Sequence, residues 1–373
     1  MADMRTLVRN VAMRYRWRAA LQRLGVETRS ARLLDIAERP DGLAVTLTVE
    51  SRTRQVAELL GDSGADALSW ALGRRVVPLG ADPYRPTIHV LLVETGPLVA
   101  GDLPTPEPAR WGGSVRSIPL GLHGKTGEPV GLELWSIERG SSHVLVSGTT
   151  GGGKSNTVGV LIAGLAAARV CLVGLDCKAG ETLLPWSSVL GHPVVDPLLD
   201  PRGCDELLAR LVTLMERRHR WRGPNYIPVT LVVEEWASLP VKPLSIGDNL
   251  ERLAAQGRSA SVGLIVTTQK PTSNVGAVRT STRGNLPVRI AHSTIGDRAA
   301  SEAILGAGQG EAADLPTEPP GLALVRVGGS ILEPVRVYRC AGPPWTHAPV
   351  GYTLDEVEAW DLACQNEIER FRT

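Results

Sequence analysis

No Cys-x-x-Cys pair occurs anywhere in the 373 residues; the five cysteines stand alone at 171, 177, 204, 340 and 364. An odd, scattered set gives neither the paired spacing of a zinc site nor a disulfide framework, and suits reduced thiols in a cytosolic protein. No run of about eighteen apolar residues is present, so no membrane-spanning helix is expected. The N-terminus has arginines but no apolar core segment, so no secretory signal is expected. A charge excess is also missing. Forty Lys and Arg against 39 Asp and Glu leave a formal charge of +1, so any polyanion site must be a local patch. No internal repeat is visible.

What is there is ordinary for a globular chain: 43% hydrophobic and 21% charged residues, enough for one large domain or two smaller ones. Residues 4–24 read as a basic amphipathic helix. Leu7, Val11, Leu21 and Leu24 recur at helical spacing, and Arg5, Arg9, Arg14, Arg16, Arg18 and Arg23 fill the other faces. That pattern fits a solvated helix packed on its own domain, and equally a contact to DNA, a membrane surface or a partner subunit. Strands are expected at 32–37 and 43–50 around an Arg39-Pro40-Asp41-Gly42 hairpin turn, with a helix at 56–72 and a strand at 87–93. Prolines 97, 104, 106 and 108 then mark a linker. The chain therefore divides into a small α+β domain (1–105), a larger domain (106–342) and a tail (343–373) with a short helix at 353–370.

The larger part alternates apolar strands with helices. Strands are expected at 143–147, 170–175, 229–233, 263–267, 288–292 and 321–327, the βαβ rhythm of an α/β domain with a parallel sheet. The first of them runs into Gly148-Thr-Thr-Gly-Gly-Gly-Lys-Ser155, with a helical stretch from Asn156. This is the phosphate-binding loop motif in its expected strand-to-helix setting. Glycines let successive N–H groups converge on phosphate oxygens, and the helix N-terminus adds partial positive charge. Gly148, Thr149, Thr150, Gly151, Gly152, Gly153, Lys154, Ser155 and Asn156 are thus the candidate ATP-binding residues. Lys154 is expected at the β- and γ-phosphates and the Ser155 hydroxyl on Mg²⁺.

Such a loop needs a second strand ending in carboxylates. Val229-Thr-Leu-Val-Val233 followed by Glu234-Glu235 supplies it. Glu235 is the candidate base acting on the attacking water, and Glu234 the candidate metal-shell residue, one methylene longer than the usual aspartate. A third apolar strand ends at Thr268-Gln269, where an amide can sense the γ-phosphate.

In this order the motifs resemble those of the FtsK/SpoIIIE family of double-stranded DNA translocases, from about residue 56 to 327. Asp176-Cys-Lys178 is similar to the family's Asp-Pro-Lys, and Met215-Glu-Arg-Arg218 to its Met-Glu-Arg-Arg helix. Gln256-Gly-Arg-Ser-Ala260 and Thr268-Gln269-Lys270-Pro271 resemble its Gly-Arg-Ala and Thr-Gln-Arg-Pro. Asn285-Leu-Pro-Val-Arg-Ile-Ala291 resembles its Asn-Ile-Pro-Thr-Arg-Ile-Ala. The resemblance implies a RecA-like P-loop NTPase motor domain preceded by a small α+β domain. It also implies ATP and Mg²⁺ as cofactors, duplex DNA as substrate, and a homo-hexameric ring. Glu302 stands where the family often has arginine. The chain lacks the membrane helices and winged-helix domain of the chromosome-partitioning members, and is more similar to soluble relatives on actinobacterial plasmids and integrative elements. A cytoplasmic motor is implied, peripheral to a membrane or septum if a partner protein anchors it there.

A ring lets a neighbour contribute an arginine to the γ-phosphate. Arg258 is the first candidate and Arg289 the second. The segment 270–289 carries Lys270, Arg279, Arg283 and Arg289 and no acid, a composition suited to sequence-independent phosphate contacts. Lys270, Arg279 and Arg283 are therefore the candidate DNA-binding residues. Two other readings compete: a secretion ATPase of the type VII kind, acting on protein, and a nucleotide-gated DNA-binding adaptor that does not hydrolyse ATP.

Overall fold

The computed structural model describes residues 4–24, 31–39, 42–49, 68, 72, 75–81, 87–93, 117–124, 127–136, 138–221, 226–240, 245–269, 280–317, 320–340 and 351–372. The linker expected at 96–108 and most of the helix expected at 56–72 lie outside them; Leu68 and Leu72 are helical.

In the N-terminal part, helix α1 (Met4–Arg23) precedes a four-stranded antiparallel sheet ordered β1-β2-β4-β3. Its strands are β1 (Ala31–Arg39), β2 (Gly42–Val49), β3 (Arg75–Ala81) and β4 (Thr87–Val93). Arg39 pairs with Gly42, which closes β1 onto β2 as a hairpin. The helix lays Met13, Trp17, Ala20 and Leu21 on a core with Leu33, Val45, Val90 and Leu92. The Trp17 indole N–H donates to the Ala31 carbonyl at 2.9 Å, satisfying the one polar atom that burial of the ring would strand. Arg16, Arg18 and Arg23 stay exposed on the other side of the helix.

The larger part is built on a nine-stranded sheet. Four short strands come first: β5 (Ile118–His123), β6 (Pro129–Leu132), and the pair β7 (Trp135–Ser136) and β8 (Gly140–Ser141), which form a separate two-stranded piece. Then follow β9 (Val144–Ser147), α2 (Lys154–Ala167), β10 (Cys171–Asp176), α3 (Pro201–Trp221) and β11 (Val229–Glu234). Next come α4 (Ile246–Gln256), β12 (Val262–Thr268), α5 (Thr280–Gly284), β13 (Val288–Ala291) and α6 (Arg298–Leu305). The hairpin β14 (Leu322–Val327) and β15 (Ser330–Val337) and the helix α7 (Leu354–Arg372) complete the chain.

The sheet order is β10-β11-β12-β9-β13-β14-β15-β5-β6. The first five strands are parallel, as expected from the βαβ rhythm. From β13 onward every pairing is antiparallel, so the sheet is mixed and extends beyond the expected parallel block.

Burial on both faces explains the near-continuous apolar runs. Val144 and Val146 of β9 face one core with Val232 and Ile265, while Leu145 faces the other with Leu231 and Leu264. Helix α2 is sunk in the first core, buried from Thr157 to Ala167. Its Gly159 lies so close to Trp186 and Cys340 that a Cβ there would come within 3.0 Å and 3.2 Å of them.

Helix α7 docks on α3. Leu354 and Val357 join the second core. Arg218 of α3 pairs with Asp361 at 2.6 Å, with 0% and 3% of their side chains exposed. Arg218 also donates to the carbonyls of Ala260 and Ile227, both at 2.9 Å, so α3, α7 and the approaches to β11 and β12 meet on one guanidinium. Its planar fork suits several acceptors at once. Among the described residues no helix is long and apolar enough to cross a membrane.

Candidate nucleotide site

The strand register brings the site together. Asp176 lies beside Glu234, and Ser147 lies between Thr268 and Ala291. The carboxyl ends of all five parallel strands therefore finish in one row, where ligands bind in open α/β sheets. The loop after β9 and the residues after β10, β11 and β12 share this edge.

The 148–153 loop needs its glycines. Gly148, Gly151 and Gly153 have φ of 144°, 80° and 111°, a region that side chains resist. A Cβ on Gly148 would sit 2.6 Å from His292 Cβ, and one on Gly153 would sit 2.8 Å from Gly321 N. The backbone is thus packed directly onto His292 and the start of β14. The His292 ring is wholly buried under the loop. Its Nδ1 lies 2.8 Å from the Leu322 carbonyl and its Nε2 2.9 Å from the Thr157 hydroxyl. A carbonyl can only accept, so Nδ1 carries the proton and Nε2 accepts from Thr157. Burial, aided by the charge of Lys154, pulls the His292 pKa down to about 4. The sequence reading placed His292 only as a strand end.

Lys154 opens α2. Its Nζ donates to the carbonyls of Gly148 and Thr149 at 2.9 Å and 2.8 Å. Burial lowers its pKa, the nearby Lys178 charge adds to this, and Glu235 and Glu234 oppose it. A cleft of about 330 Å³ opens over the loop, lined by Thr150, Lys154, Ser155, Lys178, Glu181 and Gln269 among others. Asn156 also reaches this cleft, but both ends of its amide bond to the chain after β15: Nδ2 donates to Tyr338 O and Oδ1 accepts from Cys340 N.

The carboxylate pair stands opposite. Glu234 is fully buried; Oε1 lies 2.7 Å from Lys178 Nζ, and Oε2 accepts from the Thr267 hydroxyl at 2.8 Å. Glu235 adopts a left-handed backbone, φ 55°. Its N–H donates to Thr267 Oγ1 at 2.8 Å, which fixes this turn. Its Oε1 accepts from Gln269 N at 3.2 Å, while Oε2 is buried with no hydrogen-bond partner and lies 3.8 Å from Lys178 Nζ. The Gln269 amide oxygen in turn accepts from the Thr150 hydroxyl at 3.1 Å. Loop, carboxylates and glutamine strand are therefore physically joined.

Residues 102–222 match the FtsK/SpoIIIE family model. The chain is similar to the DNA translocase FtsK of Bacillus cereus, 28% identical over 266 residues, covering 61% of this chain and 32% of that one. It is also similar to the DNA translocase SpoIIIE of Bacillus subtilis, 28% identical over 204 residues, covering 44% of this chain and 25% of that one. The chain thus spans a third or less of the length of these FtsK/SpoIIIE relatives. Among solved structures, the pCW3 conjugation coupling protein TcpA, in a monomer form with ATPγS, superposes with a TM-score of 0.55 at 17% identity. That match covers 88% of this chain and 95% of TcpA. The cytoplasmic domain of the Thermomonospora curvata type VII secretion ATPase EccC gives 0.53 at 21% identity, over 70% of this chain and 34% of EccC. These likenesses show the P-loop ATPase fold.

The remaining sequence candidates are dispersed over this fold. Arg258 is exposed just before β12, at the end of the strands opposite the 148–153 loop, with Nε 3.3 Å from the Arg139 carbonyl. Arg289 is committed within its own chain, donating to the carbonyls of Leu286, Ile304 and Arg283 at 3.1, 2.9 and 3.0 Å. Arg283 lies half-buried on α5. Lys270 and Arg279 lie outside the described residues. Lys178, Glu181 and Thr182, which line the cleft, carried no assigned role in the sequence reading.

Proposed function

We propose that this chain is an ATP-driven double-stranded DNA translocase. The observation that carries the reading is the contact chain Thr150–Gln269–Glu235, which ties the phosphate loop to the candidate base and to the strand end entering the basic 270–289 segment. Similarity to FtsK and SpoIIIE supports DNA as the substrate.

In this reading Gly148 to Ser155 cradle the ATP phosphates through backbone N–H groups, and Lys154 leaves its loop carbonyls for the β- and γ-phosphates. The Ser155 hydroxyl and the two glutamates are hard oxygen donors of the kind Mg²⁺ takes, and the buried Oε2 of Glu235, which accepts no hydrogen bond, fits a site built for a cation or water. Ser155 and Glu234 would hold Mg²⁺, which when bound neutralises charge on the phosphates. Glu235 orients and deprotonates the attacking water. Gln269 registers the terminal phosphate and passes its loss to the segment where Lys270, Arg279 and Arg283 would contact the DNA backbone.

Arg258 suits a role in trans because it lies far from its own loop. A head-to-tail homo-hexamer would bring it to a neighbour's nucleotide. A membrane-bound partner would supply any anchoring. ATP-dependent displacement of a third strand from duplex DNA tests the function; a protein that hydrolyses ATP yet leaves the third strand in place is not a translocase.

A further inference from the structure

We infer that Lys178 is a switching cation, one that holds the Glu234–Glu235 pair when no nucleotide is bound and turns to the terminal phosphate of ATP when it is. The inference rests on the nucleotide-site reading above and adds a residue to it.

The geometry supports both positions. Lys178 Nζ is 2.7 Å from Glu234 Oε1 and 3.8 Å from Glu235 Oε2, so one ammonium serves both carboxylates. Glu234 is fully buried, and its other oxygen has only a neutral hydroxyl donor. Without Lys178, a carboxylate in this place would carry a large desolvation penalty with no cation to offset it. The Lys178 side chain is 24% exposed and lines the cleft with Lys154 and Ser155. One end of its reach is therefore buried on acid, and the other opens on the space above the phosphate loop.

The backbone beneath Lys178 is anchored, so the side chain alone moves. Asp176 accepts from Lys178 N at 2.8 Å, from Thr182 N at 3.0 Å and from Leu183 N at 2.9 Å. Cys177 N donates to Glu234 O at 3.3 Å. A four-carbon stem on a fixed backbone is what a swinging ammonium needs.

Charge supplies the driving force. Lys178 and Lys154 face one cleft and repel, which is part of why the Lys154 pKa is lowered. Burial works against the Lys178 charge, but the hydrogen bond and charge of Glu234, with Glu235 and Asp176, outweigh it and raise its pKa. A polyphosphate between the two lysines relieves their repulsion and competes with Glu234 for Lys178. The Glu234 oxygen is then released, and Glu235 loses its neighbouring cation. ADP lacks the terminal phosphate and leaves Lys178 on the glutamates.

The test is Lys178→Met, which keeps length and removes charge, with Lys178→Arg as the charge-retaining control. Binding of ATPγS and ADP is titrated calorimetrically in each, and thermal unfolding of the nucleotide-free protein is followed. Lys178→Met is expected to weaken ATPγS about tenfold or more while ADP stays within about twofold, since a charge-assisted bond to the terminal phosphate is what it loses. Its nucleotide-free melting temperature is expected to fall below that of the wild type, because the buried Glu234 carboxylate loses the cation 2.7 Å away. Lys178→Arg is expected to stay close to the wild-type melting temperature. Equal weakening of ATPγS and ADP, or none of either, overturns the terminal-phosphate role. An unchanged nucleotide-free melting temperature in Lys178→Met overturns the clamp on Glu234. A wild-type protein that binds neither nucleotide refutes the underlying nucleotide-site reading, a result separate from either.

Discussion

The Gln269 amide oxygen accepts from the Thr150 hydroxyl at 3.1 Å, and the Gln269 backbone N–H donates to Glu235 at 3.2 Å. One residue thus touches the phosphate loop with its side chain and the candidate base with its backbone. Gln269→Ala removes the first contact and keeps the second. Nucleotide affinity is expected to change by no more than about fivefold, because a single exposed neutral hydrogen bond contributes about 1 kcal/mol or less. DNA-stimulated turnover is expected to fall by about tenfold or more, with the response to DNA lost first. Parallel titrations of ATPγS binding and of hydrolysis against duplex concentration read the two effects apart.

The Arg218–Asp361 pair makes a stability prediction. Both side chains are buried, so Asp361→Asn leaves a guanidinium with carbonyl acceptors but no counter-charge. Breaking such a pair costs about 3–5 kcal/mol. Urea unfolding should show that loss. An exposed pair such as Arg298–Asp314 contributes at most about 1 kcal/mol, so Asp314→Asn is the control.

The buried histidine sets an acid limit. The His292 pKa is about 4 in the folded protein against 6.5 for an unburied ring. Between those values the unfolded chain binds the extra proton. Stability is therefore whole above about pH 6.5 and declines as pH falls toward 4, by on the order of 3 kcal/mol for this one group. His143, likewise pulled down to about 4 by burial and then by Arg258, acts in the same direction. His292→Gln should flatten part of the decline in denaturant titrations at pH 4.5, 5.5 and 7; an unaltered slope would contradict the assignment.

The two arginine candidates separate cleanly. Arg258→Ala should leave folding and ATP binding intact and reduce turnover by about 10³-fold, the lower range for an arginine supplied by a neighbour. Arg289→Ala should instead lower the melting temperature, since its guanidinium caps three carbonyls of its own chain. Wild-type turnover by Arg258→Ala would remove it from the site.

The parts of this fold legible in the sequence are those with local signals. The five parallel strands are apolar runs, and the loop 148–155 announces itself by glycine spacing and its lysine. The missed strands longer than two residues all contain a proline or glycine that weakens a strand pattern. Strand β3 holds Pro78 and Gly80, β5 holds Pro119 and Gly121, β6 holds Pro129, and β15 holds Pro334. Register shifts at Pro78/Gly80 and Pro119/Gly121 show how β3 and β5 accommodate them, as local bulges. In the site, Lys154, Ser155, Glu235 and Gln269 could be named because each follows a recognisable strand. Lys178 and Glu234 are 56 positions apart, and His292 meets Thr157 across 135. No spacing rule joins them; only the order of strands in the sheet does.

The central claim is that this site hydrolyses ATP in response to duplex DNA. The most direct measurement is the steady-state ATP hydrolysis rate of the purified protein with and without long double-stranded DNA, beside Lys154→Ala. Strong stimulation by duplex, absent in the variant, is expected. A wild-type rate that is indifferent to duplex DNA while still abolished by Lys154→Ala would contradict it, and would point to a P-loop motor acting on another substrate.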